Sequence, residues 1–169
     1  MAITHDTNTR PGARIAYIGL GANLGDAQAT LDQALAELST APGVLSCAAS
    51  PFYLSDPVDA QGPEFVNAVA AISTQLEPLA VLDLLQAIEH AHHRQRPYRN
   101  APRTLDLDLL WYEGVDMDSE QLTLPHPRMH ERAFVLLPLR DLAPGLVLKQ
   151  GHVAALIAAC TEQVIRRKP

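Results

Sequence analysis

Two aspartates stand one residue apart in the strand-like segment "TLDLDLL". Successive side chains of a β-strand point to opposite faces, so Asp106 and Asp108 should project side by side, with the leucines between them on the other face. Strict alternation would place Leu110 and Tyr112 on the aspartate face as well. Two carboxylates so close repel each other unless a cation lies between them. Because Mg²⁺ is typically held by one or two carboxylates and substrate phosphates, the pair predicts a magnesium site, with a solvent-facing polar strand as the alternative.

A cluster of arginines precedes the aspartates. No Lys or Arg occurs between Arg14 and Arg94, and the chain then places four arginines within ten residues: Arg94, Arg96, Arg99 and Arg103. In a chain of formal net charge −6, such a local concentration favours a small anionic ligand over a long polyanion. Guanidinium groups are forked donors that suit phosphate oxygens, so arginines and aspartates together predict a phosphoryl-transfer site.

Three further positions suit the same chemistry. His126 lies between two prolines, which restrict the backbone, and Arg128 and Arg132 follow it, so the group could contact a leaving phosphate. Asn67 interrupts an apolar strand and needs hydrogen-bond partners; its amide could read the edge of a heterocycle. Phe65 and Phe134 could stack on that heterocycle, or they could simply be core residues.

The glycine-containing segment "GLGANLGD" does not match the common nucleotide-binding loops. It lacks the Lys-Ser/Thr that ends a phosphate-binding P-loop, and its spacing is not G-x-G-x-x-G. We therefore interpret it as a strand-to-helix connection. The histidines His90, His92 and His93 lack the cysteines or spacing of a zinc site.

Periodicity along the chain predicts four strands and two long helices. The strands are expected at 14–20, 44–55, 64–76 and 103–112, and the helices from an Asp26 N-cap to Pro42 and from Pro78 to Arg94. A short helix from about Glu131 and a closing helix over 152–165 follow. The order βαββαβ predicts an α+β fold with a ferredoxin-like core, a mostly antiparallel sheet covered by helices on one face, and a C-terminal helical extension.

Composition limits the class of protein. The chain has 169 residues, of which 47% are hydrophobic and 19% are charged. Residues 14–169 should therefore form a single domain, and residues 1–13 should form a flexible leader. No apolar run approaches the ~18 residues of a membrane span, and the polar N-terminus does not resemble a signal peptide. Cys47 and Cys160 are expected to be free thiols in a reducing cytoplasm. The acidic charge argues against nucleic-acid binding, and the lack of a contiguous apolar surface segment favours a monomer.

Several segments together resemble a known family. "APRTLDLDLL" and "LPHPRMHERAFVLLPLRDLAP", with "YIGLGANLGD" and "FVNAVAAI" upstream, are similar in order to 6-hydroxymethyl-7,8-dihydropterin pyrophosphokinase, from about Arg14 to past Pro144. The resemblance implies that ATP donates its β,γ-pyrophosphoryl unit to the pterin hydroxymethyl oxygen, releasing AMP, as a step of folate biosynthesis. Two Mg²⁺ ions would bridge the triphosphate.

The resemblance also implies roles for individual residues. It assigns the metal ions to Asp106 and Asp108, and the pterin to Ser55, Pro57, Val58, Phe65, Asn67 and Phe134. It assigns the nucleotide to Gln86, Glu89, Arg94, Arg103, His126 and Arg132, of which the last four would also be catalytic. These residues include no convincing general base, so we favour catalysis by positioning and charge neutralisation over a metal-lowered pKa of the hydroxymethyl group.

The chain departs from the family pattern in three places. Gly21-Ala22-Asn23 replaces the usual G-S-N, Asn100 and Ala101 stand where many members carry a Trp, and a one-residue shortening before Arg103 leaves Arg96 as an alternative to Arg94. Other functions remain open: another Mg²⁺-dependent phosphoryl or nucleotidyl transferase, or an inactive pterin-binding or nucleotide-binding paralogue. An RNA-binding ferredoxin-like module is disfavoured by the acidic charge and the 5% aromatic content.

Overall fold

The structure is a computed structural model that describes residues 12–57, 62–93 and 105–169. Within these ranges the main sheet and two small hairpins contain the strands β1 (Arg14–Ala22), β2 (Val44–Ala49), β3 (Tyr53–Ser55), β4 (Phe65–Thr74), β5 (Asp106–Tyr112), β6 (Met117–Asp118), β7 (Thr123–Leu124), β8 (Val147–Leu148), β9 (Gly151–His152) and β10 (Ile165–Arg167). The helices are α1 (Ala27–Thr40), α2 (Pro78–His93), α3 (Ala133–Leu142) and α4 (Val153–Ala159), with a short 3-10 turn at Met129–Glu131.

The main sheet is antiparallel throughout. Its order is β10-β3-β4-β1-β5, and β2 pairs with the part of β4 that β3 leaves free. Strands β1 to β5 and helices α1 and α2 form the predicted ferredoxin-like core, so the α+β fold class is confirmed.

The single strand predicted over 44–55 is in fact two strands. Between β2 and β3, the Ser50 N–H donates to Val69 O at 2.8 Å, and Ser50 Oγ accepts from Val69 N at 2.9 Å. Pro51 follows, and it has no N–H to give to the ladder. The pairing is therefore interrupted here and resumes at Tyr53.

One face of the sheet is buried under α1 and α2. Asp26 caps α1 by accepting from the Ala29 N–H at 3.1 Å, as predicted. The residues buried between the helices and the sheet recur at helical spacing on the helices and at alternate positions on the strands; they include Leu31, Leu38, Leu85, Ile18, Leu20, Ile72, Leu107 and Leu109. This is the main core, and the opposite face of the sheet lies outside it.

The C-terminal helices lie on that opposite face. Val69 of β4 and Leu110 of β5 pack there against Leu136 and Leu139 of α3 and Val153 of α4. The cover is partial, because the carboxylate of Asp108 on the same face of β5 remains exposed. We call the part of this face that carries Asp106, Asp108, Gly21 and Asn67 the site face.

A β-bulge changes the direction of side chains at the end of β5. Ile18 pairs with Leu109 and Tyr17 with Trp111, so Leu110 is an extra residue on β5. Leu110 and Trp111 both contact the α3 cluster, whereas Tyr112 enters the main core, where its hydroxyl donates to Leu76 O at 2.5 Å. The expectation that Tyr112 shares the aspartate face is therefore wrong.

The predicted closing helix is shorter than expected. Helix α4 ends at Ala159, and residues Ile165–Arg167 form β10, antiparallel to β3. Local apolar spacing favoured a helix over 152–165, but pairing with the otherwise free edge of β3 satisfies the backbone of this segment. Within the described ranges, no helix has the length and apolar character needed to cross a membrane.

Candidate active site

A continuous row of residues crosses the site face. Tyr53 of β3 pairs with Asn67 of β4, Asn67 with Gly21 of β1, and Gly21 with Asp106 of β5. In the next row Gly19 pairs with Asp108. Neighbouring strands lie about 4.8 Å apart, so the backbones of Asn67 and Asp106 are about 10 Å apart across β1. An amide and a carboxylate therefore face the same space from the two sides of a glycine.

The central strand contributes no side chain to this space. Gly19 and Gly21 both lie within β1, which extends to Ala22 beyond the predicted end at residue 20. A Cβ on Gly21 would lie 3.4 Å from Asn67 Oδ1, and a Cβ on Gly19 would lie 3.4 Å from the Leu110 methyl groups. The glycines therefore leave an open floor between the flanking strands.

The two aspartates project from β5 on this face, as alternation predicts. Asp106 is partly buried and Asp108 is exposed. Among the described residues no group of three or more His, Cys, Asp or Glu side chains could hold a metal ion. Two carboxylates at an open face form a partial coordination shell, and this donor set fits Mg²⁺, which takes its other ligands from water and phosphate.

The polar groups at the other end of the row are buried and connected. Asn67 is 4% exposed and Ser55 is 5% exposed, and Asn67 Nδ2 donates to Ser55 Oγ at 2.7 Å. Phe65 pairs with Ser55 across the strands and lies two residues before Asn67, so it projects from the same face. Pro57 follows β3 and is partly buried, and Val58 lies outside the described residues.

Phe134 approaches from the first turn of α3. Its ring packs partly against the α3 cluster, and Cζ of Arg132 lies 5.6 Å from the ring centroid, within range of a cation–π contact. Arg132 is the N-cap residue of α3, so the start of this helix carries both an aromatic ring and a positive charge.

His126 is held beside β5 in a defined tautomer. The backbone N–H of His126 donates to Leu110 O at 2.7 Å, and its ring Nδ1 accepts from the backbone N–H of Arg128 at 3.1 Å. In the neutral ring the proton is therefore on Nε2. Burial lowers the pKa of His126, Asp108 opposes this shift, and the cations Arg132 and Arg128 add to it. The neutral imidazole thus lies within the field of Asp108.

The described residues include only part of the predicted nucleotide-binding group. Gln86 and Glu89 lie on α2, exposed and partly buried respectively, and Arg94 and Arg103 fall outside the described ranges together with the rest of the arginine cluster. The end of α2 is fixed by His92, which contacts Glu37 at 3.2 Å, and by His93, which contacts Leu105 O at 2.8 Å. These contacts tie α2 and α1 together and attach α2 to the start of β5.

A cavity of about 460 Å³ lies elsewhere, at the amino end of α1, and includes Asn23, Asp26, Pro63 and Glu64 in its lining. None of the predicted site residues in the described ranges lines it. The row of polar residues instead lies on an open sheet face. We therefore take the site face as the candidate active site.

Comparison with known proteins decides the family. The model of the family described as 7,8-dihydro-6-hydroxymethylpterin-pyrophosphokinase (HPPK) matches residues 17–144. The chain belongs to this family. The resemblance inferred from the motifs is thus confirmed, and the matched HPPK region includes every described residue of the row across the site face.

Curated HPPK relatives are similar over almost their whole length. A Pseudomonas aeruginosa protein is 46% identical over 155 residues, which cover 90% of this chain and 96% of that protein. A Methylorubrum extorquens protein is 41% identical over 153 residues, covering 90% and 97%. Both are named 2-amino-4-hydroxy-6-hydroxymethyldihydropteridine pyrophosphokinase.

Solved structures agree on the HPPK fold. A Plasmodium falciparum HPPK-DHPS structure matches with a TM-score of 0.69 at 14% identity, covering 90% of this chain and 46% of that chain. At this identity the likeness supports the fold alone.

Three features of the HPPK site were missed in the sequence. The floor formed by Gly19 and Gly21 could have been found, because two glycines at a spacing of two in a strand share a face. The Arg128 N–H that sets the His126 tautomer has no signal in residue type. The contact of Tyr53 with Asp141 joins residues 88 positions apart, which no local pattern reveals.

Proposed function

We propose that this chain transfers the β,γ-pyrophosphoryl group of ATP to the hydroxymethyl oxygen of 6-hydroxymethyl-7,8-dihydropterin, releasing AMP, in folate biosynthesis. Family membership supports the reaction. The observation that carries the proposal at this site is the placement of Asn67 and Asp106 on the two sides of Gly21. An amide for the heterocycle and a carboxylate for a phosphate-bound cation then share one open face.

The pterin would bind at the β3–β4 end of the row. The Asn67 amide offers a donor and an acceptor to a heterocycle edge, and its bond to Ser55 orients it. Phe65 and Phe134 would stack on the ring, and Pro57 and Val58 would close the pocket. Burial of Asn67 and Ser55 means that a ligand replaces little water at these groups.

The triphosphate would bind at the β5 end. Arg132 and the proton on Nε2 of His126 are donors for phosphate oxygens, and Arg94, or Arg96 in its place, and Arg103 would add positive charge. Gln86 and Glu89 would contact the nucleotide. Asp106 and Asp108 would hold Mg²⁺, with two ions in the complete complex, and bound Mg²⁺ would supply charge neutralisation at the triphosphate.

Positioning carries most of this mechanism. The Nδ1 of His126 is already occupied as an acceptor and its Nε2 carries a proton, so the neutral ring donates a hydrogen bond and is not available to remove the hydroxymethyl proton. The chain's contribution is then to align the hydroxymethyl oxygen with the phosphorus atom and to compensate charge on the departing AMP.

The decisive experiment identifies the nucleotide product. The protein is incubated with ATP, Mg²⁺ and 6-hydroxymethyl-7,8-dihydropterin, and the nucleotides are separated by chromatography. We expect AMP that forms only when the pterin is present. Formation of ADP would indicate a different phosphoryl transferase, and pterin binding without turnover would indicate an inactive paralogue.

Asp108→Ala tests the metal assignment. Because Asp108 is exposed and removed from the core, we expect the variant to keep the wild-type melting temperature within error while AMP formation falls at least about 100-fold. Glu120→Ala is the control, since it removes an exposed carboxylate on the β6–β7 turn, and it should retain full activity. An Asp108→Ala variant with near-normal turnover would contradict the assignment.

The remaining proposals concern the whole chain. Residues 14–169 would form one pyrophosphokinase domain preceded by a flexible leader over 1–13, and the protein would act as a monomer in the cytoplasm. Cys47 and Cys160 are free thiols, which supports a reducing compartment.

A further inference from the structure

A hydrogen bond joins the pterin end of the sheet to the far end of α3. The Tyr53 hydroxyl donates to Asp141 Oδ2 at 2.5 Å. Tyr53 is 5% exposed and pairs directly with Asn67, and Asp141 lies in the last turn of α3. A phenol that donates to a carboxylate forms a charge-assisted bond, stronger than a bond between neutral groups.

This bond helps to fix the rotation of α3 about its axis, together with the packing of Leu136 and Leu139 against the sheet. Phe134 and Asp141 are seven residues apart, which is close to two helical turns, so both lie on the same side of the helix. When Asp141 is held against Tyr53, Phe134 is also turned toward the sheet. The carboxyl end of α3 is thereby attached to the strand that carries Ser55, the hydrogen-bond partner of Asn67.

The amino end of α3 is held separately. Gln163, which precedes β10, accepts from the Ala133 N–H at 2.8 Å and donates to Glu131 O at 2.7 Å. These bonds hold the first turn of the helix through backbone groups. The contact between Tyr53 and Asp141 lies about two turns away and is a side-chain restraint on the other end of the helix.

We propose that Tyr53 and Asp141 are positioning residues for the pterin: their hydrogen bond holds the Phe134 ring opposite Asn67 and Ser55. The proposal rests on the proposed function, since it concerns the same site. Neither residue is assigned to touch the substrate, because the Tyr53 hydroxyl donates to Asp141 and Asp141 lies at the end of α3 remote from Phe134.

The test compares Tyr53→Phe with Tyr112→Phe. Each substitution removes the hydroxyl of a buried tyrosine whose hydrogen bond measures 2.5 Å, but Tyr112 bonds to Leu76 O in the main core, on the other face of the sheet. We expect Tyr53→Phe to raise the pterin KM roughly tenfold, with kcat and the ATP KM changed by less than about twofold. Tyr112→Phe should lower the melting temperature and leave the pterin KM unchanged.

Asp141 variants separate the hydrogen bond from its charge. Asp141→Asn keeps an acceptor oxygen and should remain close to wild type, whereas Asp141→Ala should reproduce the effect of Tyr53→Phe. The double variant Tyr53→Phe/Asp141→Ala should be no worse than either single variant, since both remove the same bond. An unchanged pterin KM in Tyr53→Phe, or additive effects in the double variant, would overturn the proposal.

A binding measurement distinguishes this proposal from the proposed function. If the wild-type protein forms no AMP, the dissociation constant of 6-hydroxymethyl-7,8-dihydropterin is measured by calorimetry for wild type and Tyr53→Phe. A roughly tenfold weaker binding by the variant would support the positioning role although the proposed reaction had failed. Equal binding by the two proteins, or no binding by the wild type, would overturn the positioning role.

Discussion

At the scale of single residues, the candidate site depends on the absence of a side chain at Gly21 as well as on the side chains beside it. Gly21 separates Asn67 from Asp106 and has no side chain to fill the space between them. Its backbone is extended as part of β1, so a larger residue would be tolerated by the main chain. The requirement for glycine at this position is therefore one of space in the candidate site.

Gly21→Ala tests that requirement. The added methyl group would lie 3.4 Å from Asn67 Oδ1, so we expect the pterin KM to rise by about tenfold with little loss of melting temperature. Steady-state kinetics with varied pterin measure the effect. Gly145→Ala is the matched control, because no atom lies within 4 Å of its added methyl group. Equal pterin KM values for the two variants would show that the floor is not used.

His126 should make stability depend on pH. Burial lowers its pKa from 6.5, so below about pH 6.5 the unfolded chain binds more protons than the folded chain, and the free energy of unfolding falls as the pH falls. Protonation of Nδ1 would also remove the acceptor for the Arg128 N–H. Urea unfolding measured between pH 7.5 and 5 should therefore show a smaller decrease in the free energy of unfolding for His126→Asn than for the wild type. In the variant, the amide oxygen of Asn replaces Nδ1 as the acceptor.

The control for this experiment is His152→Asn. His152 Nδ1 also accepts a backbone N–H, from Ala154 at 3.2 Å, but His152 lies at an exposed site. Its replacement should leave the pH dependence close to wild type. A His126→Asn variant that loses stability with pH as steeply as the wild type would contradict the role assigned to His126.

At the scale of elements, the C-terminal strand completes the end of the sheet where the pterin is proposed to bind. β10 pairs with Tyr53–Ser55, and Lys168 N donates to Phe52 O at 2.8 Å. Arg166 reaches both oxygens of Glu64, at 2.9 and 2.8 Å, immediately before Phe65. The strand therefore supports both β3 and the start of β4 from outside the site.

Removal of residues 164–169 should weaken the fold and the pterin site together. Loss of the β10 pairing should lower the free energy of unfolding by roughly 1–3 kcal/mol, and freed β3 should raise the pterin KM. Gln163, which holds α3, is kept. Arg166→Gln is the control, because an exposed ion pair contributes little and its loss should be nearly neutral. A truncated protein with wild-type stability would show that β10 does not support the sheet.

Local patterns were sufficient for elements that carry their own signal. Alternation and helical spacing predicted β1, β4, α1 and α2 to within a few residues, and the shared face of Asp106 and Asp108 followed from alternation alone. The misses at the C-terminal strand and at Tyr112 depend on partners distant in the chain. β10 forms because β3 offers a free edge, and the bulge at Leu110 turns Tyr112 into the main core.

At the scale of the whole molecule, the two faces of one sheet have separate tasks. The α1–α2 face holds the main core, and the opposite face carries the polar row next to the smaller α3 cluster. Substitutions on the site face therefore change few core contacts, which is why the residue-scale variants are expected to fold.

The surface of the described residues supports a monomer. The exposed large apolar side chains, Leu45, Leu79, Val147 and Val164, lie on separate elements or connections. We expect size-exclusion chromatography with light scattering to give the mass of one chain at all protein concentrations. A dimer that persists on dilution would contradict this prediction.

The glycine floor has a consequence for inhibition and resistance. An inhibitor resting on residues 19 and 21 would contact peptide groups, which no point mutation can delete. A mutation there can only add atoms, and those atoms would obstruct the natural ligand as well, as the 3.4 Å approach to Asn67 indicates for residue 21. Resistance mutations should therefore accumulate at residues around the floor. Compounds that bind mainly to the floor should keep their affinity for resistant variants better than compounds that bind around it.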